Sequence, residues 1–155
     1  MKNDTIRWVN LEKHPTKDIQ DDHVNGSLTV IWRDWDEILE ITPKMVYTSS
    51  VMPGETKGPH LHKKRDSFFV CIRGKVIFIA KDLQGKYYEI ESSEDNPVLI
   101  QIPKGHVSAH INISDEISTV LTLANPAWKP NDDEMENVTF DDYDWTKWKK
   151  FRKLD

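Results

Sequence analysis

The chain has 155 residues, of which 37% are hydrophobic and 30% charged, enough for one core and too apolar for a disordered chain. Its formal net charge is −5, with 26 acidic against 21 basic side chains, so the broad basic surface of a general nucleic-acid binder is missing. A single cysteine, Cys71, excludes a disulfide framework and a cysteine-rich zinc module.

The amino terminus carries charge but no apolar stretch after it, so no signal peptide is expected. The longest apolar runs, 68–72 and 76–80, are five residues each and far too short to span a bilayer. A cytoplasmic protein without a membrane partner is the expectation. Short alternating segments follow one another at roughly ten-residue spacing. Strands are predicted over Ser27–Trp32, Lys44–Val51, Ser67–Arg73, Lys75–Lys81, Tyr87–Glu91, Val98–Ile102, His106–Ile113 and Ser118–Ala124. Trp35–Glu40 reads as a short helix or a loop. Both faces of Val76–Ala80 and of Val98–Ile102 are apolar, which predicts strands covered on both sides. Arg73-Gly74 and Gln84-Gly85 read as tight hairpin turns. Many short strands with almost no helical period predict an all-β sandwich or barrel.

The carboxyl end changes character. Residues 131–144 hold seven acidic side chains and no basic one, and 145–155 hold five basic ones and one acid. Trp145, Trp148 and Phe151 recur every three residues, which predicts a short helix docking an aromatic edge on the body. No repeat or linker interrupts the chain, so one domain over 1–155 is expected, with a core at about 26–142 and a tail at 143–155.

The chemistry concentrates in 53–74. His60 and His62 are two apart, so an extended backbone points both imidazoles to one face. Pro53, Gly54, Gly58 and Pro59 precede them as an irregular lead-in. A buried imidazole pair needs partners, which predicts a polar cavity.

This segment resembles the first cupin motif: Gly54, His60, His62, a strand, then Gly74. Ile102-Pro103-Lys104-Gly105, followed by His106, Ser108 and His110, resembles the second. The resemblance implies a jelly-roll barrel with short N-terminal strands and a short C-terminal helix. Metal-binding cupins place a Glu or Gln where Ser67 stands, and a His where Ser108 stands. With two of four ligands absent, no metal and no cofactor are expected. Lys57-Gly58-Pro59-His60-Leu61-His62-Lys63, then Val70-Cys71-Ile72-Arg73-Gly74, with Gly26–Val30 and Met45-Val46-Tyr47 before them, are similar to the metal-independent sugar-nucleotide 3,4-ketoisomerases. The related 3,5-epimerases are echoed in Leu99–Pro103, Ser114-Asp115, and Pro130 with Glu134. Lys57 stands for the family's Arg, and Trp128 lies near the epimerases' catalytic Tyr.

The resemblance implies a homodimeric isomerase of dTDP-linked 4-keto-6-deoxy sugars in polysaccharide biosynthesis. His60 is the expected main base, with His62 as the partner that shuttles or polarises. Tyr47 is either a donor to the sugar oxygen or an ordinary strand aromatic. Lys57 and Lys63 are expected at the pyrophosphate; His110, Ser108, Ser67 and Trp128 are expected to line the substrate cavity. A 3- or 3,5-epimerase, an inactive sugar-binding cupin and a metal cupin are the alternatives. Cys71, inside the motif strand, reads as packing.

Overall fold

The computed structural model describes residues 4–35 and 41–151. Apart from Trp35, the segment at Trp35–Glu40 lies outside them. The strands are β1 (Arg7–Asn10), β2 (Lys13–Lys17), β3 (Val24–Thr29), β4 (Met45–Val51), β5 (Thr56–His62) and β6 (Asp66–Arg73). They continue as β7 (Lys75–Lys81), β8 (Tyr87–Ser93), β9 (Val98–Ile102), β10 (Val107–Asn112), β11 (Ser118–Asn125) and β12 (Met135–Asn137). One sheet has the order β1-β9-β6-β11-β4 and a second the order β12-β5-β10-β7-β8; β2 and β3 form a separate ribbon. All the strand pairs are antiparallel.

The expected all-β architecture is present as two facing open sheets. They do not close into a barrel: the ladder ends at β1 and β4 in the first sheet and at β12 and β8 in the second. Alternation along each strand decides what fills the space between them. Val98, Ile100 and Ile102 of the first sheet meet Val76, Phe78 and Ala80 of the second in one buried cluster. The other face of β7, Ile77 and Ile79, packs beneath Phe140 and Tyr143. The other face of the first sheet, with Phe68, Val70, Leu99 and Leu123, is covered in part by Ile31 and Trp32. The doubly apolar strands are thus buried on both sides, as their composition predicts.

Three features differ from the sequence reading. Gln84-Gly85 does close the β7–β8 hairpin, with Asp82 N donating to Lys86 O at 2.9 Å. Arg73-Gly74, by contrast, is a corner between the two sheets, since β6 and β7 belong to different ones. Gly74 has φ 75°, and a Cβ there would lie 2.2 Å from Ser118 Oγ. The expected strand at Ser27–Trp32 sits earlier, at Val24–Thr29, because it pairs with the charged strand β2. The expected C-terminal helix is only a 3-10 turn, Trp145–Trp148, capped by Asp144, whose Oδ1 accepts from Thr146 N at 3.0 Å. A three-residue recurrence is the 3-10 period, so the spacing was present but the length was not. The aromatic edge does dock: Trp145 packs on Phe140 and Tyr143, and Trp148 Nε1 donates to Tyr143 Oη at 2.8 Å.

Candidate active site

The two sheets part toward the side where β4 and β12 are edges, leaving a cavity of about 450 Å³. On β4, half-buried Met45, Tyr47 and Ser49 face inward and alternate with exposed Val46, Thr48 and Ser50. Phe69 supplies the deep wall from β6. Ser108 and His110 enter from β10, and Lys57, His60 and His62 from β5. Trp128 and Met135, 61% and 46% exposed, stand at the rim.

β5 is not regular. Its register against β10 runs Ser108↔His60 and then His110↔Lys57, so β5 has an extra residue in a bulge. Gly58 sits there with φ +87°, and a Cβ on it would lie 2.8 Å from Ser108 O. A side chain fits neither the backbone conformation nor the space. The bulge moves Lys57 onto the same face as His60 and His62, which a strict alternation would have prevented. The Gly58-Pro59 part of the irregular lead-in therefore belongs to a strand of the second sheet, bent where Gly58 permits, while Pro53 and Gly54 form the turn before it.

The two imidazoles have different partners, Asn137 on the short strand β12 and Glu134 just before it. Its register places Met135 opposite His62 and Asn137 opposite His60. His60 Nδ1 lies 2.9 Å from Asn137 Oδ1. With that oxygen accepting, Nδ1 carries the hydrogen and Nε2 is bare. Burial holds His60 below its ordinary pKa, outweighing the Asn137 contact, and nearby His62 and Lys57 push the same way. His60 is therefore neutral at pH 7.

His62 instead has a carboxylate behind it. Its Nδ1 is 2.8 Å from Glu134 Oε2 and 3.2 Å from Oε1. Glu134 is 2% exposed. Its Oε1 accepts from the Arg65 backbone N–H at 3.0 Å, and Arg65 Nη2 stands 3.8 Å from Oε2. Burial alone raises this carboxyl, but the His62 hydrogen bond and charge, with Arg65 and Lys64 N, bring it below the ordinary value. A buried ionised carboxylate thus fixes the His62 tautomer and leaves Nε2 for the cavity.

His110 is buried, packs on Phe78 in a tilted ring pair at 4.9 Å between centroids, and has no partner for Nε2. Burial pushes its pKa down to about 4, helped by the charges of Lys57 and His60.

The cavity therefore brings together His60, His62, Tyr47, Lys57, Ser108, His110 and Trp128 among the residues expected from the sequence. Two do not join them. Lys63 follows His62 on the chain, and its Nζ is held outside by Asp133 O at 3.1 Å and by Glu136 at 3.6 Å. Ser67 is buried beside the cavity, with its Oγ unpartnered, and does not line it. Cys71 is fully buried, its thiol pushed up to about 11 mainly by burial, as a packing role requires. Trp32 packs against the outer face of the first sheet.

The sequence reading did not single out Arg65 or Asn137, and it named Glu134 only as an epimerase echo. Glu134 lies 72 residues from its imidazole inside an acidic run, so spacing carries no signal for the pair. Among the described residues, only Asp18, Asp21 and His23 gather three metal-ligating atoms within 4.8 Å, on the exposed β2–β3 loop. The cavity histidines do not form such a group.

Two facing sheets with an imidazole-lined cavity at one edge define a cupin-type domain. Residues 5–145 match the family model described as "FdtA: WxcM-like, C-terminal", and the chain belongs to that family. It is 25% identical over 145 residues to the spore coat polysaccharide biosynthesis protein SpsL of Bacillus subtilis, covering 90% of this chain and 91% of SpsL. It is 30% identical over 124 residues to the probable low-salt glycan biosynthesis epimerase Agl13 of Haloferax volcanii, covering 75% of this chain and 79% of Agl13. Among solved structures, a dTDP sugar isomerase of Desulfovibrio desulfuricans superposes with a TM-score of 0.74 at 17% identity, covering 88% of this chain and 85% of that one.

Proposed function

We propose that the protein is an isomerase of nucleotide-linked 4-keto-6-deoxy sugars, of the 3,4-ketoisomerase type, serving polysaccharide synthesis. The observation that carries this reading is a pair of imidazoles side by side in one cavity, one backed by a buried carboxylate and the other held neutral. Membership of the family and the polysaccharide and glycan roles named for its relatives support it.

The hydrogen on the carbon next to a ketone is acidic, and a positioned base near its own working pH can take it. Sequence alone favoured His60 for that role. The partners favour His62, because Glu134 stabilises the imidazolium that forms when Nε2 accepts the proton. His62 takes the proton from carbon 3, the electrons of that bond form the C3=C4 double bond, the carbonyl pair moves onto oxygen 4, and the ketone becomes an enediolate. His60, neutral with a bare Nε2, relays the hydroxyl proton from oxygen 3 to oxygen 4. Return of the carbon proton at carbon 4 leaves the ketone at carbon 3. Tyr47 lines the same cavity and is placed to donate to a sugar oxygen. Lys57 is exposed on the cavity wall, where it meets the pyrophosphate, and Trp128 at the rim offers a face for a ring.

The test is product analysis by NMR after incubation with dTDP-4-keto-6-deoxyglucose. The account expects the ketone to move to carbon 3. Inversion at carbon 3 or 5 with the ketone still at carbon 4 would assign an epimerase, the activity named for Agl13. Unaltered substrate, and no reaction with other nucleotide 4-keto sugars, would defeat the enzymatic reading.

A further inference from the structure

One buried charge in the cavity wall has no role in the steps above. Arg65 follows β5 and turns its side chain into the wall, where the residue is 6% exposed. Neither Nε nor Nη2 has a hydrogen-bond partner, and the nearest carboxylate oxygen, Glu134 Oε2, is 3.8 Å from Nη2. A guanidinium donor left unpaired in a buried site is destabilising. Holding Glu134 does not require it, because the backbone N–H groups of Arg65 and Lys64 already reach Oε1 at 3.0 and 3.4 Å.

Its position is more informative than its burial. Glu134 Oε2 has His62 Nδ1 at 2.8 Å and Arg65 Nη2 at 3.8 Å. A proton acceptor and a fixed cation therefore flank the same carboxylate oxygen in one cavity wall. Proton removal next to a ketone requires both kinds of group. The base meets the carbon, and a cation or donor meets the oxygen that becomes negative, one bond beyond the neighbouring carbon.

We propose that Arg65 is a catalytic residue that binds the ketone oxygen of the sugar and stabilises the enediolate. This rests on the isomerase reading. In the step, His62 Nε2 accepts the proton from carbon 3, and the C–H electron pair becomes the C3=C4 bond. The carbonyl π pair moves onto oxygen 4. Arg65 donates hydrogen bonds to that oxygen through its guanidinium N–H groups and transfers no proton in the step. The substrate oxygen is the acceptor that the cavity Arg65 lines would bring to it.

The experiment compares Arg65→Met and Arg65→Lys with the parent. It reads the rate at which the carbon-3 proton signal of dTDP-4-keto-6-deoxyglucose is lost in deuterated water, and the affinity for dTDP by calorimetry. Arg65→Met should lose about 10²–10³ in exchange rate, the loss typical of removing an oxyanion donor, with dTDP affinity unchanged. Arg65→Lys should recover about tenfold of that loss, since it keeps the charge without the planar fork. If Arg65→Met does not fold, Arg65→Lys decides: a rate about 10–10²-fold below the parent at unchanged dTDP affinity supports the role. A parent-like rate in either variant overturns it, as does a loss of dTDP affinity that matches the loss of rate. A parent that exchanges nothing removes the isomerase reading and this role with it, whereas equal exchange rates in the parent and Arg65→Met remove this role alone.

Discussion

At the scale of single residues, the site is a set of buried polar groups whose protonation the surroundings decide. Glu134→Gln keeps the shape and removes the charge behind His62. The account expects carbon-3 exchange to fall by about 10²-fold or more, the usual contribution of a positioned acid–base group, with dTDP binding retained. Exchange at the parent rate would take Glu134 out of the mechanism. His110 makes a separate prediction about stability. Its native pKa of about 4 lies below the ordinary 6.5, so between those values the unfolded chain binds more protons than the native one. Its full contribution is present above pH 6.5 and is lost as pH falls toward 4, a change of about 3 kcal/mol at roughly 1.4 kcal/mol per unit. His60 shifts in the same direction. Urea denaturation of the parent and of His110→Leu from pH 7 to 4.5 should show a flatter profile in the variant. Parallel profiles would mean that His110 is not held neutral by the fold.

At the scale of elements, the bulge in β5 is what puts three site residues on one face. Gly58→Ala places a Cβ 2.8 Å from Ser108 O in a conformation of φ +87°. A loss of at least about 1–3 kcal/mol in unfolding free energy is expected, with weaker dTDP binding as Lys57 moves. Unchanged stability and affinity would show that the bulge does not set the site. This element also marks how far the sequence could be read. His60 and His62 were legible because two residues of one type at a period of two announce a shared face. The doubly apolar strands β7 and β9 were legible for a similar local reason. Short polar strands were not. β2 and β12, with Lys13–Lys17 and Met135–Asn137, have no apolar alternation to report them. They exist as strands because a neighbour supplies the ladder. Lys63 was misplaced because its charge suggested a ligand, while the acidic residues that hold it are about 70 positions away. Gly74 looked like any hairpin glycine, since a corner between sheets and a tight turn ask for the same residue.

At the scale of the whole molecule, the open side of the sandwich explains why the sequence supports both a core and a cavity. Apolar side chains from both sheets fill one end, and at the other the inward positions of β4, β5 and β10 become Tyr47, His60, His62, Ser108 and His110. The net charge of −5 therefore coexists with a cavity whose local cations, Lys57 and Arg65, suit an anionic sugar nucleotide. The acidic carboxyl-terminal segment contributes the strand β12 and the two side chains that distinguish the imidazoles. No helix among the described residues is long and apolar enough to cross a membrane. The central claim is that this cavity moves a proton at the carbon beside a sugar ketone. The most direct test follows the carbon-3 proton signal of dTDP-4-keto-6-deoxyglucose in deuterated water, with the parent protein and with His62→Asn. The account predicts that the signal disappears with the parent and persists with the variant. A signal that persists with the parent, or disappears equally fast with His62→Asn, would contradict it.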